Sequence, residues 1–122
     1  MKQETAQRLY KQMKECMEQK EVFLREGFSR EDLAREIKSN RTYLTKALHL
    51  RSLTFARFVN SYRAQYAIDL LACNEDMSVE ELALRSGFGS SRAMNRYIKE
   101  SAGLGARALQ CRIFKDSVKV QP

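Results

Sequence analysis

The sequence predicts an all-α fold of about seven helices, built as two helix-turn-helix units joined by a long central helix. Three observations carry this. Helix breakers are scarce inside the chain, with 5 Gly in 122 residues and a single Pro at the last position, Pro122. Apolar residues recur at helical spacing rather than alternating as in a half-buried strand. A pattern of capped short helix, tight turn and second short helix occurs twice.

The first segment, about Thr5 to Phe23, repeats Ala6, Leu9, Met13, Cys16 and Met17 at helical spacing and reads as one amphipathic helix. Gly27 interrupts it. Ser29-Arg30-Glu31-Asp32 has the form of a capping box, in which a serine satisfies a free backbone N–H and an acid three residues on reaches back. Leu33, Ala34 and Ile37 give that helix its inner face. Ser39 or Asn40 caps the next helix, roughly Arg41 to Leu48, with Leu44, Ala47 and Leu48 inward. His49 to Thr54 reads as a connector.

A long helix follows from Phe55 to about Cys73, its stripe formed by Phe55, Phe58, Val59, Tyr62, Tyr66, Leu70 and Leu71. Asn74-Glu75-Asp76 ends it, and the earlier pattern returns. Ser78-Val79-Glu80-Glu81 is a second capping box, and Leu82 and Ala83 repeat Leu33 and Ala34 at an offset of 49. Ser86-Gly87-Phe88-Gly89 makes the turn, and Ser90 caps a helix running to Lys99. Past one inserted turn residue the offset becomes 50, so Met94, Arg96 and Ile98 repeat Leu44, Lys46 and Leu48. A closing helix runs from about Ala106 to Phe114. The expected organisation is an N-terminal helix (1–27) packing on or leading into a domain (28–114), then a tail (115–122). Within the domain the units lie at about 29–50 and 78–99, with the central helix at about 55–73.

Hydrophobic residues make up 43% and charged residues 30%, as in a soluble globular protein rather than a disordered one. Cys16, Cys73 and Cys111 are far apart and form no C-x-x-C pair, which argues against a disulfide framework or zinc site and fits a reducing cytoplasm. No membrane contact by the domain is expected, because no stretch approaches the ~20 apolar residues of a span. The only histidine is His49, with no obvious nucleophile or acid beside it, and no phosphate loop or metal-ligand spacing is present. An enzyme is not expected, nor any cofactor or metal.

The formal net charge of +7 points to a polyanionic partner, and its placement says which. Ile37 to Ile68 contains no acid, nor does Leu82 to Lys99, and each stretch holds the second helix of a repeat. The acids Glu31, Asp32, Glu36, Glu80 and Glu81 lie on the first helices, mostly in the opening turn, where they favour the positive helix end. A helix entering the major groove must be free of carboxylates and carry short polar or basic side chains. Asn40, Arg41, Thr42, Thr45 and Lys46 fit a base-contacting role, as do Ser91, Arg92, Asn95 and Arg96. Lys38, Ser39, Arg57, Ser90 and Lys99 are the candidate phosphate contacts. The expected partner is double-stranded DNA. The central helix of 19 residues spans about 28 Å. That approaches the roughly 34 Å between successive major-groove faces. Two recognition helices could then lie in adjacent grooves.

These residues resemble the AraC/XylS-type DNA-binding domain from about Phe28 to Gln110. The shared motifs are Asp32-Leu33-Ala34, Asn40-Arg41-Thr42-Tyr43-Leu44, the run from Phe55 through Phe58-Val59-Asn60 and Arg63 to Ala67, and Leu70-Leu71. The most specific is Ser78-Val79-x-Glu81-Leu82-Ala83-x-x-Ser86-Gly87-Phe88. The resemblance implies two helix-turn-helix units on a long helix, sequence-specific DNA binding and transcription regulation. It places base contacts on Thr42, Thr45, Lys46, Ser91, Arg92, Asn95 and Arg96, and gives Arg63 a structural role. It also implies a covalently linked sensing domain and RNA polymerase as a further partner. The chain departs from the family at several points. It has Arg51-Ser52-Leu53 where a loop glycine is usual, Met94 and Ile98 where phenylalanines are common, and Gly103-Leu104-Gly105-Ala106 without the usual proline. Leu109-Gln110 replaces an aromatic and an arginine.

Two other functions compete. A helix-turn-helix module that has lost DNA binding and contacts protein would respond weakly to salt, whereas DNA affinity falls steeply between about 50 and 200 mM. An RNA reader would offer aromatic platforms, and here Tyr43 and Tyr97 alone are candidates for exposure.

Overall fold

The computed structural model describes residues 2–73 and 76–120, with 114–120 as backbone. All regular structure among these residues is helical: α1 (Gln3–Glu15), α2 (Arg30–Glu36), α3 (Arg41–His49), α4 (Phe55–Cys73), α5 (Val79–Arg85), α6 (Ser91–Ala102) and α7 (Ala106–Val120). The chain forms two compact units, Met1–Val59 and Asn60–Pro122, so the division falls inside α4.

In the first unit α1 packs along α3. Ala6, Leu9 and Met13 are buried on α1, and Leu33, Ala34, Leu44, Ala47, Leu48, Phe58 and Val59 complete the core. The single helix expected to Phe23 is broken. α1 ends at Glu15, a wider π-helical turn covers Cys16–Lys20, Glu21 turns left-handed at φ 49°, and a short 3-10 turn covers Val22–Leu24. The reason lies in phase. Nine residues beyond Met13, Val22 would sit about half a turn off the buried face of a regular helix. Interrupting the helix lets Cys16, Met17, Val22 and Phe23 all be buried.

The second unit has a core of its own, with Ala64, Ala67 and Leu71 from α4, Leu82 and Ala83 from α5, Phe88 from the turn, Met94 and Ile98 from α6, and Ala106 from α7. Equivalent positions of the two units share the same fate. Leu33 and Leu82 are fully buried, as are Leu44 and Met94, and Leu48 and Ile98. The stripe on α4 differs from expectation. Phe58, Val59 and Leu71 are buried, but Phe55, Tyr62, Tyr66 and Leu70 are half-buried, and the deepest positions are Ala64 and Ala67.

The ends of the short helices repeat a single backbone device. After α2 the N–H groups of Lys38 and Ser39 donate to the carbonyls of Arg35 and Ala34, at 3.2 and 2.8 Å. After α5 those of Gly87 and Phe88 donate to Leu84 and Ala83, at 3.3 and 3.0 Å. After α3 those of Ser52 and Leu53 donate to His49 and Leu48, at 2.9 and 3.0 Å. Each is a Schellman closure, which needs a left-handed residue. Gly87 supplies it at φ 84°, whereas Lys38 and Ser52 adopt φ 55° and 57° without being glycine. Ser52 lies in the Arg51-Ser52-Leu53 loop, where the related family usually has a glycine.

Three element bounds differ from those read in the sequence. α3 includes His49, α6 continues three residues past Lys99 to Ala102, and α7 runs past Phe114 to Val120, into the expected tail. Asn74 and Glu75, read as the end of the central helix, lie outside the described residues, as do residues 121–122 of the tail.

Candidate nucleic-acid interface

The second helix of each unit is set by a cap and a buried stripe. Asn40 caps α3, its Oδ1 accepting the Tyr43 N–H at 2.9 Å. Ser90 caps α6, its Oγ accepting the Ala93 N–H at 3.2 Å. With Leu44 and Leu48 pinned inward, α3 turns Thr42, Lys46 and His49 to solvent; with Met94 and Ile98 inward, α6 presents Arg92, Arg96 and Lys99. Thr45 and Ser91 are half-buried beside these faces. Neither α3 nor α6 has an acid in its first turn, whereas α2 and α5 do, with Glu31 and Asp32, and Glu80 and Glu81.

The predicted base contacts therefore separate. Thr42, Lys46, Arg92 and Arg96 are exposed. Arg41 is also exposed, but its guanidinium pairs with Glu31 at 3.2 Å, a contact worth little at the surface. Asn40 and Asn95 also serve the fold. Bidentate reading of adenine uses both the amide oxygen and nitrogen. One lone pair of the Asn40 oxygen accepts the Tyr43 N–H of its own helix, and one of the Asn95 oxygen accepts the Ala106 N–H at 2.9 Å, capping α7. Among the phosphate candidates, Lys38, Arg57, Ser90 and Lys99 are exposed, while Ser39 is half-buried in the first turn. The Arg57 N–H also donates to Thr54 Oγ1 at 3.1 Å, at the start of α4. His49, which the sequence places in a connector, is exposed on the last turn of α3. The offset of 50 that pairs Lys46 with Arg96 also pairs it with Lys99.

The acids behind the interface are committed to structure. Asp32 completes a true capping box. Its carboxylate accepts the Ser29 N–H at 2.9 Å, and its own N–H donates to Ser29 Oγ at 3.2 Å. Bonds from the Ser29 backbone and hydroxyl hold the Asp32 carboxyl below its ordinary range. Arg25 at 2.7 Å and Lys20 at 3.2 Å do the same for Glu36. The second box is only half of what was expected. Ser78 Oγ accepts the Glu81 N–H at 3.1 Å, but the Glu81 carboxylate turns to Arg85 at 2.9 Å.

Other side chains hold the frame. Arg63 bonds Asn60 Oδ1 at 3.0 Å, and burial lowers its pKa. Ser86 is fully buried, its hydroxyl donating to the Leu82 carbonyl. Tyr97 stacks on Phe88 with ring centroids 6.2 Å apart and is half-buried, so of the two candidate aromatic platforms Tyr43 is the exposed one. Burial raises the Cys16 thiol above its ordinary value. Among the described residues no helix is long and apolar enough to cross a membrane.

A family model described as a helix-turn-helix domain matches residues 33–112, from α2 into α7. The TCP pilus virulence regulatory protein of Vibrio cholerae serotype O1 is 36% identical over 59 residues, in both the Classical Ogawa and El Tor Inaba strains. That match covers 48% of this chain and 21% of the relative, so it spans about a fifth of the relative's length. A solved structure, a DNA-binding transcriptional dual regulator from Escherichia coli K-12, superposes with a TM-score of 0.71 over 91% of this chain and 93% of the other, at 16% identity. That likeness establishes the fold, and the family match covers most of the chain. The chain belongs to the AraC-type helix-turn-helix family of DNA-binding transcription regulators.

Proposed function

We propose that the chain is the sequence-reading output domain of a transcription regulator, with α3 and α6 each laid in the major groove, in successive turns of the duplex. The observation that carries this is the pair of matched exposed faces. Thr42, Lys46 and His49 stand in register with Arg92, Arg96 and Lys99, and no carboxylate intervenes. Arg92 and Arg96 suit guanine, Thr42 offers a methyl and a hydroxyl, and Lys46 a cation. Lys38, Arg57, Ser90 and Lys99 supply phosphate contacts that set the register of the protein on the duplex. Family membership supports two further partners, a covalently linked sensing domain and RNA polymerase, and a cytoplasmic place where the DNA lies. Nothing in this chemistry calls for a catalytic residue.

Selection of bound duplexes from a random pool tests the reading. The expected product is a two-part motif with its halves about one helical turn apart. A single short motif would leave one unit without a reading role. No enrichment, with binding indifferent to salt, would sink the reading in favour of a protein-binding module. The observation that favours such a module is Leu84 on α5, which is 79% exposed.

A further inference from the structure

A groove runs between α1 and the turn that leads into α3. Thr5, Arg8 and Gln12 line it from α1, and Lys38, Ser39 and Tyr43 from the turn and α3. No acid lines it. Among the described residues neither Arg8 nor Lys38 makes an ion pair, and both are exposed. A neighbouring groove shares Lys38 but is lined also by Glu15 and Glu36, with Lys20 neutralising in part. Of the two, only the first suits a polyanion. α1 packs on α3 through buried Leu9 and Met13, so Arg8 and Gln12 are held in fixed relation to the recognition helix.

We infer that α1 is a third DNA-contacting element, in which Arg8 and Gln12 join Lys38 in gripping the sugar-phosphate backbone beside the groove that α3 enters. This rests on the DNA reading above and extends it to a helix that precedes the first helix-turn-helix. The partner is the duplex backbone because the lining offers cations and neutral donors, with nothing shaped to read a base edge. Arg8 projects from an exposed position, so replacing it leaves the core of α1 intact.

The test is binding of the full chain to a selected duplex and to an unrelated duplex of equal length, over a range of salt. Arg8→Gln should weaken both complexes alike, by about 3- to 10-fold, and make the slope of log K against log salt shallower by about one. Lys11→Gln, an exposed α1 cation outside the groove, should change neither. Three results would overturn the inference: no change with Arg8→Gln, a loss confined to one duplex, or an equal loss with Lys11→Gln. Arg92→Ala run alongside separates this from failure of the DNA reading. If Arg92→Ala loses preference while Arg8→Gln is silent, α3 and α6 bind DNA without α1. If the unaltered chain binds neither duplex in a salt-dependent way, the DNA reading itself falls.

Discussion

The two helix-turn-helix units reach one backbone plan by different means. Their inner positions are nearly interchangeable, with Leu33 and Leu82, Ala34 and Ala83, Leu44 and Met94, and Leu48 and Ile98 buried alike. Their supports are not. In the first unit a helix that precedes the motif, α1, packs on the recognition helix; in the second a helix that follows it, α7, does so, and Asn95 caps that helix. Their turns also differ. Every non-glycine residue with positive φ among those described, Glu21, Lys38 and Ser52, lies in the first unit, whereas the second uses Gly87 and Gly103. The motif is thus specified by a handful of inward side chains and by the hydrogen bonds of its turn. Which helix braces it, and which residue bears the left-handed backbone, are free to vary.

The strongest probe of this equivalence is a matched pair of core deletions. Leu33→Ala and Leu82→Ala each empty a fully buried site and should each cost about 2–5 kcal/mol. Residue-resolved hydrogen exchange of the native protein should show protection lost chiefly in the unit that carries the change. Equal loss in both units from either change would mean that they unfold as a single cooperative block.

The outer faces sharpen the comparison. Thr42 and Arg92 occupy the same register, but only arginine can reach guanine with two donors. Arg92→Ala should cost about 1–3 kcal/mol of binding and relax preference at one base position. Thr42→Ala should cost less and act in the other half of the motif. Competition binding against single-base variants of the selected duplex measures both. Uniform weakening of all duplexes by Arg92→Ala would make it a phosphate contact and leave the second unit without its principal reader.

Much of this was legible in the sequence because the repeat reports on itself. The offset of 49, shifting to 50 at Gly89, aligns the caps, the inner residues and the acid-free faces from the residues alone. What escaped has physical reasons. Ala64 and Ala67 are wholly buried, yet alanine carries little hydropathic signal, so the larger half-buried Tyr62 and Tyr66 drew the stripe instead. The break after Glu15 follows from tertiary demand on Val22 and Phe23, with no glycine or proline to mark it. The cap that Asn95 places on α7 escaped because an asparagine's role depends on what lies within reach, and the α7 terminus is distant in sequence. Lys38 gave no warning of positive φ, because lysine does not favour it, whereas the loop at Ser52 was marked only by the glycine usual in the related family.

The turns can be tested by exchanging their solutions. A side chain in the left-handed region costs about 1–2 kcal/mol relative to the right-handed one, partly offset because glycine loses more freedom on folding. Lys38→Gly should therefore raise stability by up to about 1 kcal/mol, and Gly87→Ala should lower it by about as much or somewhat more. Denaturant melts of the two variants give the signs. Lys38→Gly should at the same time weaken DNA binding without altering preference, since its cation is lost. A destabilising Lys38→Gly would show that the lysine side chain contributes to the fold more than its backbone strain takes away.

The smallest expected difference lies in acid. Glu31, Asp32 and Glu36, all in the first unit, have carboxyls held below their ordinary values, by the backbone at the start of α2 for Glu31, by Ser29 for Asp32 and by Arg25 for Glu36. A carboxylate whose pKa falls on folding stabilises the folded state above its unfolded pKa and loses that contribution as pH drops through the folded one. The window therefore opens at about pH 4, where unperturbed carboxylates titrate, and extends downward. Glu31 is exposed and Asp32 and Glu36 are half-buried at the surface, within reach of solvent screening, so the effect on the whole protein is modest and must be read locally. The Ser29 amide, which donates to Asp32, should report a midpoint below the ordinary Asp value in a nuclear magnetic resonance titration. The Ser78 amide occupies the equivalent place, but the Glu81 carboxylate turns to Arg85. It should move less over the same range. Equal movement of the two amides would mean that Glu81 closes a second capping box in solution, and this contrast between the units would disappear.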